Sequence, residues 1–437
     1  MAGGLRRLYT ALFALLTPLL LLRQAWRGQA AARYRSRWRE RLGRHAEAWD
    51  GPPPIWIHAV SVGETMAAAP LVRALQERLP QVPILLTTST ATGADCVARV
   101  FGGAVRHAFF PFDLPGAVTR FLEHFRPRVL VVMETELWPN TFAACAARGV
   151  PIVLANARLS ARSLAGYQRF ATLSRELVRG IDYIAAQGAD DAARFVTLGA
   201  ESARIAVIGS LKFDVDLPPS IHEQAAAVRR LLGVSRPILI AASTRDGEEA
   251  LLLDAFLRLR GALPDILLIL VPRHPERFDE VAELCAARGL VTVRRSRAPG
   301  CGGEAQVYLV DSMGELPRFY AAADLAFVGG SLLPFGGHNV LEPAMLGRPV
   351  LVGPHTFNFS DIVRLLEQAG VLRVVADAEQ FAAAARAWLE DSNERDRVGR
   401  LARDIVHRHR GATQRTVGEI VRLLIQAPAH AAANRVA

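Results

Sequence analysis

In the first half of the chain, a carboxylate stands where a predicted strand turns into a helix. Glu64 ends the segment at 58–64, which follows the apolar run 55–58, and Gly63 permits a sharp turn just before it. A carboxylate at a helix start can be a favourable charge for the helix dipole. It can also be a general base, because a hydroxyl that attacks a sugar carbon must give up its proton. Both interpretations fit the pattern.

Two more glutamates and a tryptophan follow the next strand of interest. Glu134, Glu136 and Trp138 come directly after the predicted strand 129–133. If that strand continued, the two carboxylates would share a face, and their repulsion would raise the pKa of one of them. Trp138 offers an aromatic face on which a sugar ring or an acyl chain can lie. The alternative is a loop with a structural role only.

Basic residues stand at another strand end and at the junction between the two halves. Arg158 and Arg162 follow the predicted strand 152–156, where they either hold an acidic substrate group bidentately or form a solvated surface pair. Lys212 is the only lysine among the 52 Lys and Arg residues. We interpret it as a compact point charge that a guanidinium cannot replace, the alternative being chance survival.

The second half contains a glycine-rich segment, 329–344, after the apolar run 325–328. Asn339 is a good helix N-cap, and Glu342 follows three residues later as in a capping box. Glycines let a backbone approach a ligand, and free N–H groups at a helix start favour an anion, so the segment predicts a phosphate site. A tight packing turn is the alternative.

Arginines end two neighbouring predicted strands of this half. Arg245 follows the strand at 238–241, and Arg273 and His274 follow the strand at 266–271. Together with the glycine-rich segment they predict a pocket for a phosphate group. His338 is either a ligand or acid in this pocket, or only a polar contact.

The elements that must position these residues form two βα series, which predict mainly parallel sheets with both faces covered. Two doubly wound α/β domains would place the site in a cleft at the carboxyl ends of the strands. The predicted strands of the first series are 55–58, 84–87, 129–133, 152–156, 183–186 and 205–207, and those of the second are 238–241, 266–271, 307–309, 325–328 and 350–352. We divide the chain into an N-terminal segment 1–44, a first domain 45–214, a linker 215–235 and a second domain 236–425.

The charge of the chain is concentrated at one end. Of the net charge of +10, residues 1–44 contribute ten arginines against Glu40, a net of +9, so the rest carries about +1. Because the basicity is local, we expect no nucleic-acid partner. The apolar run 9–22 is short for a membrane span, and the arginines around it favour an anionic cytoplasmic leaflet. We predict a membrane-anchoring or interfacial segment; a signal peptide and an ordinary packed amphipathic helix are the alternatives.

The chain resembles the 3-deoxy-D-manno-octulosonic acid (Kdo) transferases of lipopolysaccharide assembly. The segments that carry the resemblance are 58–64, 87–93, 111–113, 134–140, 156–163, 209–214, 273–278 and 329–344. The resemblance implies a GT-B glycosyltransferase on the cytoplasmic face of the inner membrane. Such an enzyme moves Kdo from CMP-Kdo to a lipid A precursor, lipid IVA, with inversion and release of CMP.

The resemblance, taken with the patterns above, assigns roles to individual residues. The predicted catalytic residues are Glu64 as base, Glu134, Glu136 and Lys212. The predicted donor-binding residues are Arg245, Arg273, His274, Met313, Gly314, Ser331, Gly337, Asn339 and Glu342. The predicted acceptor-binding residues are Ser61, Trp138, Arg158 and Arg162. No cofactor or metal is expected, because arginines and a helix terminus can stabilise a departing nucleotide and no Asp-x-Asp follows a strand. The four cysteines form no CxxC pattern.

Two other classes of function compete with this prediction. A nucleotide-sugar epimerase of the same two-domain fold would need no membrane segment. A non-catalytic lipid- or nucleic-acid-binding protein could use the basic end alone, but it would not need carboxylates and arginines at the strand ends of both domains.

Overall fold

The computed structural model describes residues 2–25, 37–214 and 217–433. The chain forms two compact units, one made of the residues up to Asp214 and those from His409 onward, the other of Val215–Arg408. Each unit contains a seven-stranded sheet whose neighbouring strands all pair in parallel. Parallel strands need crossover connections, which place helices on both faces. The prediction of two doubly wound α/β domains is therefore confirmed.

The first sheet has the strand order β3-β2-β1-β4-β5-β6-β7. Its strands are β1 Ile55–His58, β2 Ile84–Thr88, β3 Arg106–Phe109, β4 Val129–Met133, β5 Ile152–Ala157, β6 Tyr183–Ala186 and β7 Ile205–Val207. Side chains alternate between two cores: Ile55 and Ile57 join one apolar cluster, and Trp56 joins the other. This double burial explains why the central strands are continuous apolar runs in the sequence.

The second sheet has the order β10-β11-β9-β8-β12-β13-β14. Its strands are β8 Ile238–Thr244, β9 Leu267–Pro272, β10 Thr292–Arg294, β11 Val307–Leu309, β12 Leu325–Val328, β13 Val350–Val352 and β14 Leu372–Val374. The central pair β8 and β12 is fully buried over Leu239–Ala242 and Leu325–Val328. The glycine-rich segment follows β12, and Arg245 follows β8, so the sheet brings both to one edge.

The helices cover both sheets. Those of the first unit are Ala2–Ala25, Val62–Arg78, Ala91–Phe101, Pro115–Phe125, Pro139–Ala146, Ala161–Gln168, Ala171–Arg179, Ala189–Leu198 and Ala412–Ala433. Those of the second unit are Ile221–Leu232, Glu248–Ala262, Phe278–Ala287, Leu316–Ala322, Leu341–Met345, Ser360–Gln368, Ala378–Glu390 and Ser392–His409. Short 3-10 helices span Trp38–Leu42, Ser202–Arg204, Leu211–Phe213 and Pro275–Arg277.

Three strands have no counterpart in the sequence prediction. These are β3, β10 and β14, and each lies at an edge of its sheet. An edge strand is covered on fewer sides, so it does not need a continuous apolar run. Arg106 and His107 in β3, and the half-buried β10, illustrate this.

The predicted domain boundaries differ from the observed units in two places. Residues 409–425 were assigned to the second domain, but the helix Ala412–Ala433 packs on the first sheet, where Val417 and Ile420 join the core of Ile55 and Ile57. The Asp214 carboxylate fixes the start of this helix by accepting from the Gly411 and Thr413 N–H groups, both at 2.6 Å. The predicted linker 215–235 contains the helix Ile221–Leu232, whose apolar face belongs to the core of the second unit.

The N-terminal helix, Ala2–Ala25, presents a row of leucines outward. The exposed fractions of Leu8, Leu12, Leu15, Leu16 and Leu19 lie between 51% and 75%. Their spacing places them along one side of the helix. Within the described ranges, no helix combines the length and apolarity that crossing a membrane requires.

Candidate active site

The backbone bends sharply where three strands end. Glu134 follows β4 with φ of +57°, Asn156 lies near the end of β5 with φ of +56°, and Ser243 near the end of β8 has φ of +59°. This left-handed conformation is unfavourable for residues other than glycine, by about 1 kcal/mol or more. The contacts around these three residues therefore hold their backbone in this conformation. The strand ends at Met133, so the condition under which Glu134 and Glu136 would share a strand face is not met.

Glu64 lies in the first turn of the helix Val62–Arg78. Its Oε2 accepts the Val60 N–H at 2.8 Å, and the Ser61 hydroxyl donates to Oε1 at 3.4 Å. Burial raises the pKa of Glu64 to about 7; the Val60 N–H opposes this shift, and the charges of Glu134 and Glu136 add to it. A carboxyl group with this pKa can accept a proton at neutral pH.

The predicted repulsion between the loop carboxylates is present even though the strand ends early. Burial raises the pKa of Glu136 to about 7, and the neighbouring Glu134 contributes to the shift. The loop between them is held to β5, because the Glu134 N–H donates to the Ala155 carbonyl at 2.9 Å and the Thr135 hydroxyl donates to the Arg158 carbonyl. Glu64, Glu134 and Glu136 therefore form one electrostatically coupled group, which we call the acidic cluster.

The predicted acceptor residues differ in how they are placed. Ser61 contacts Glu64, as described. Trp138 is half-buried against Phe110, with the ring centroids 5.4 Å apart. Arg158 and Arg162 are exposed, and Arg162 lies at the start of the helix Ala161–Gln168. Their contact with an acceptor stays a prediction, and so does the alternative of a surface pair.

Lys212 lies in the 3-10 helix Leu211–Phe213, which is tied to the end of β5. The Asn156 Oδ1 accepts the Leu211 N–H at 3.1 Å and the Ser210 hydroxyl at 3.3 Å. The fold thus brings the only lysine of the chain towards the edge that carries Glu134. A catalytic role for Lys212 stays a prediction.

The glycine-rich segment is not organised as predicted. The carboxylate of Glu248, which is fully buried, accepts four backbone N–H groups: Gly330 and Arg245 on Oε2 at 2.6 and 2.9 Å, and Ser331 and Leu332 on Oε1 at 2.8 Å each. The N–H groups of residues 330–332 are therefore used by a side chain of the protein and are not free for a phosphate. The predicted free N–H groups belong to the helix start after Asn339, so the phosphate site itself stays a prediction.

Two predicted donor residues of this segment hold the loop together. Ser331 is fully buried; its hydroxyl donates to the Val328 carbonyl at 2.6 Å and accepts the Gly353 N–H at 2.8 Å. The Gly337 N–H donates to the Gly330 carbonyl at 2.6 Å. Both glycines have positive φ, and a Cβ on Gly330 would lie 2.9 Å from the His338 ring. These groups are already paired, so they hold the loop in shape rather than offer free donors.

Three further predicted donor residues, Arg245, Arg273 and His274, form a basic cluster with His338 beside this loop. Arg245 contacts the His274 Nε2 at 2.7 Å and lies over the Phe335 ring at 4.7 Å. Burial lowers the pKa of His338 to about 4, and the charges of Arg273, Arg245 and His274 lower it further. The His338 Nε2 is buried without a hydrogen-bond partner in the described part of the chain. An anionic group here would compensate the concentrated positive charge.

Asn339 and Glu342 lie next to the basic cluster. The Asn339 Oδ1 accepts the Leu341 N–H at 3.0 Å, and its Nδ2 donates to Glu342 at 3.1 Å. The N-cap of the short helix Leu341–Met345 is Val340, so the prediction of Asn339 as the N-cap is wrong by one residue. Burial raises the pKa of Glu342, whereas Asn339 and the charge of Arg273 oppose the shift. Met313 and Gly314 lie on a separate exposed loop after β11, where Gly314 has φ of +84°.

Sequence reasoning missed two buried carboxylates, Glu248 and Asp113. Asp113 accepts the N–H groups of Asn140 and Thr141 at 3.0 and 2.7 Å, and the Thr141 hydroxyl at 2.7 Å. In the sequence Glu248 stands among polar residues. Asp113 belongs to the segment 111–113 that carries the family resemblance, but the pattern assigns it no role. Among the residues that the structure describes, no three His, Cys, Asp or Glu side chains are close enough to hold a metal ion.

Comparison with known proteins decides the family. Residues 36–215 match the family described as 3-deoxy-D-manno-octulosonic-acid transferase (kdotransferase), and residues 250–405 match glycosyl transferases group 1. A 3-deoxy-D-manno-octulosonic acid transferase of Haemophilus influenzae is 42% identical over 412 residues, 94% of this chain and 96% of that protein. The chain belongs to the Kdo transferase family. A Bordetella pertussis transferase of the same name is also 42% identical, over 94% of this chain and 98% of its own. The protein is thus a glycosyltransferase, which confirms the predicted enzyme class.

A solved structure of UDP-GlcNAc 2-epimerase from Neisseria meningitidis shares the fold. It is 14% identical, has a TM-score of 0.51, and the match covers 84% of this chain and all of that one. At this identity the likeness concerns the fold alone, so it does not support the epimerase alternative.

We predict that Glu248→Gln destabilises the second unit by about 3 kcal/mol. Each carboxylate oxygen accepts two N–H groups, so an amide in either orientation leaves two buried donors without an acceptor. Urea unfolding of the full chain measures this change. Glu223→Gln is the matched control, because Glu223 is also in the first turn of a helix of this unit but is exposed. Equal midpoints for the two variants would contradict the assignment.

The raised pKa values of Glu64 and Glu136 predict that the first unit loses stability as the pH rises from about 4.5 to about 7. In this window the folded carboxyl groups hold protons that the unfolded chain has already released, so deprotonation favours unfolding; above about pH 7 the effect is complete. Subtracting the free energy of unfolding of the parent from that of Glu64→Gln/Glu136→Gln removes the contributions of the other titratable groups, because both proteins contain them. Urea unfolding at pH 5 and pH 8 should show that the free energy of unfolding of the variant rises relative to that of the parent by on the order of 2 kcal/mol between the two pH values. A difference between the two proteins that does not change with pH would refute the raised pKa values.

Proposed function

We propose that the enzyme transfers Kdo from CMP-Kdo to the lipid A precursor lipid IVA, with inversion at the anomeric carbon and release of CMP. The observation that carries the proposal is Glu64, a half-buried carboxylate with a pKa of about 7 at the carboxyl end of β1. The names of the Haemophilus and Bordetella relatives specify transfer of the sugar. The donor, the acceptor and the stereochemical course are our inference.

In this mechanism Glu64 takes the proton of the acceptor hydroxyl. The hydroxyl oxygen forms a bond to the anomeric carbon of Kdo, and the bond from that carbon to the phosphate oxygen of CMP breaks. The electron pair leaves with the phosphate. Direct displacement of this kind inverts the anomeric configuration. Burial keeps the pKa of Glu64 raised, and the charges of Glu134 and Glu136 add to this effect.

The basic cluster of the second unit is the proposed site for the phosphate of the donor. Arg245 and Arg273 provide fixed positive charge, and the buried Nε2 of His338 can donate or accept a hydrogen bond there. Charge that develops on the departing phosphate would be stabilised by groups already in position. The arginines therefore supply the electrostatic part of catalysis, and Asn339 and Glu342 border the same pocket.

The test is incubation of the full-length enzyme with CMP-Kdo and lipid IVA in detergent. Mass spectrometry should detect lipid IVA with added Kdo, and NMR of the product should show an anomeric configuration opposite to that of the donor. An unchanged lipid together with conversion of a UDP-sugar to its epimer would replace the proposal by the epimerase alternative. Retained configuration would refute the direct displacement.

We further propose that the enzyme works on the cytoplasmic face of the inner membrane, attached through the N-terminal helix. Its exposed leucines supply apolar surface for the lipid, and Arg6 and Arg7 at its start favour anionic headgroups. An interfacial position of the helix fits these features.

We predict that Leu12→Ser/Leu15→Ser/Leu19→Ser weakens binding to vesicles with anionic lipids at least about tenfold. Each leucine removed from lipid loses roughly 1.5–3 kcal/mol of apolar burial. Sedimentation with vesicles measures the partitioning. Leu231→Ser/Leu251→Ser is the control, because these leucines are exposed on helices of the second unit at 46% and 44%. Equal loss in both variants, or none in the first, would contradict the assignment.

A further inference from the structure

The N-terminal helix has a second face, which meets the loops that carry the catalytic residues. The Thr10 hydroxyl lies 3.1 Å from the Asn140 Oδ1, and the Asn140 Nδ2 donates to the Thr10 hydroxyl at 3.0 Å. The Tyr9 hydroxyl forms a hydrogen bond with the Asp113 carboxylate. Phe13 packs on Phe112, with ring centroids 6.3 Å apart. An anchor alone does not require polar contacts of this kind, because apolar packing would be enough to attach a helix.

The partners of this face lie directly beside the acidic cluster. Asn140 and Thr141 begin the helix Pro139–Ala146, which follows the segment 134–138 without a break. Asp113 is fully buried and holds these first N–H groups, and the Asn140 Nδ2 also donates to the Asp113 carbonyl at 2.6 Å. The loop that carries Glu136 is thus held at one side by the Ala155 carbonyl of β5 and the Arg158 carbonyl just after it, and at the other side by the Asp113 network.

We propose that Tyr9 and Thr10 are positioning residues of the active site, which act through Asp113 and Asn140 on the loop that carries Glu134 and Glu136. The N-terminal helix then has two separable roles, membrane contact through its leucines and alignment of the acidic cluster through Tyr9 and Thr10. The proposal rests on the proposed function, because it assigns the cluster to acceptor activation.

The proposal makes a kinetic prediction that simple attachment does not make. A shift of the loop changes the distances of Glu134 and Glu136 from Glu64, and with them the repulsion that adds to the effect of burial on the pKa of Glu64. The charged and titratable groups that face Glu64 are Glu134 and Glu136. Those that face Glu136 are Glu64, Glu134 and the Tyr167 hydroxyl. The pH dependence of kcat per folded enzyme therefore reports the loop position, because a loss of folded enzyme is measured separately by thermal unfolding at each pH.

The test compares Tyr9→Phe/Thr10→Val with Thr17→Val in the full-length enzyme. Thr17 is a matched control on the same helix, because it is buried and its hydroxyl donates within the helix, to the Phe13 carbonyl at 2.7 Å. Transfer from CMP-Kdo to lipid IVA in detergent, which needs no membrane attachment, is measured from pH 5.5 to 9. Vesicle binding and thermal unfolding are measured alongside.

We expect the double variant to lose about fivefold or more in kcat, with a displaced acid limb of the kcat–pH profile and unchanged vesicle binding. Thr17→Val should stay within about twofold of the parent with the same profile. If the double variant does not fold, Tyr9→Phe alone serves, with the same expected displacement. A parental profile, or a uniform loss at every pH, would overturn the proposal. Absence of transfer by the parent enzyme would instead refute the proposed function.

Discussion

The number of hydrogen-bond donors around each buried carboxylate decides what that carboxylate does in this enzyme. Removing a charged group from water is unfavourable unless donors replace the lost hydration. Glu248 accepts four backbone N–H groups and becomes a fixed part of the loop around β8 and β12. Glu64 accepts one backbone N–H and faces two further carboxylates, so burial and repulsion raise its pKa to about 7. One residue type therefore supplies both a structural support and a group able to exchange a proton.

The two units also differ in the sign of the charge at the ends of their strands, and this difference suits them to different parts of the reaction. Negative charge is concentrated at the carboxyl ends of β1 and β4, where a neutral hydroxyl could lose its proton to a carboxylate. Positive charge is concentrated at the ends of β8 and β9, where Arg245, Arg273 and His274 surround His338. A nucleotide leaving group is anionic, so the second environment would stabilise it. Each unit thus favours one of the two charge changes that glycosyl transfer requires.

Most of the fold could be predicted because the central strands are buried on both faces and therefore appear as apolar runs. The edge strands β3, β10 and β14 lack this signal, and the helix Ala412–Ala433 joins the first unit through contacts too distant in sequence to be recognised. In the site, Glu64, Glu136 and Arg245 could be found because each follows a strand and carries a charge. Glu248 and Asp113 could not, because whether a carboxylate is buried depends on tertiary contacts. The glycine-rich segment shows the limit of a motif, since the N–H groups of residues 330–332 are bound by the Glu248 carboxylate and are not free for a phosphate.

The central claim is that Glu64 is the general base, and its most direct test is the rate of transfer by Glu64→Gln. The amide keeps the size of the side chain but cannot take the acceptor proton. We expect that single-turnover transfer from CMP-Kdo to lipid IVA falls by about 10²–10⁴-fold while the Kd for CMP stays within about twofold of the parent. Transfer within about threefold of the parent rate, with the fold intact, would show that Glu64 is not the general base.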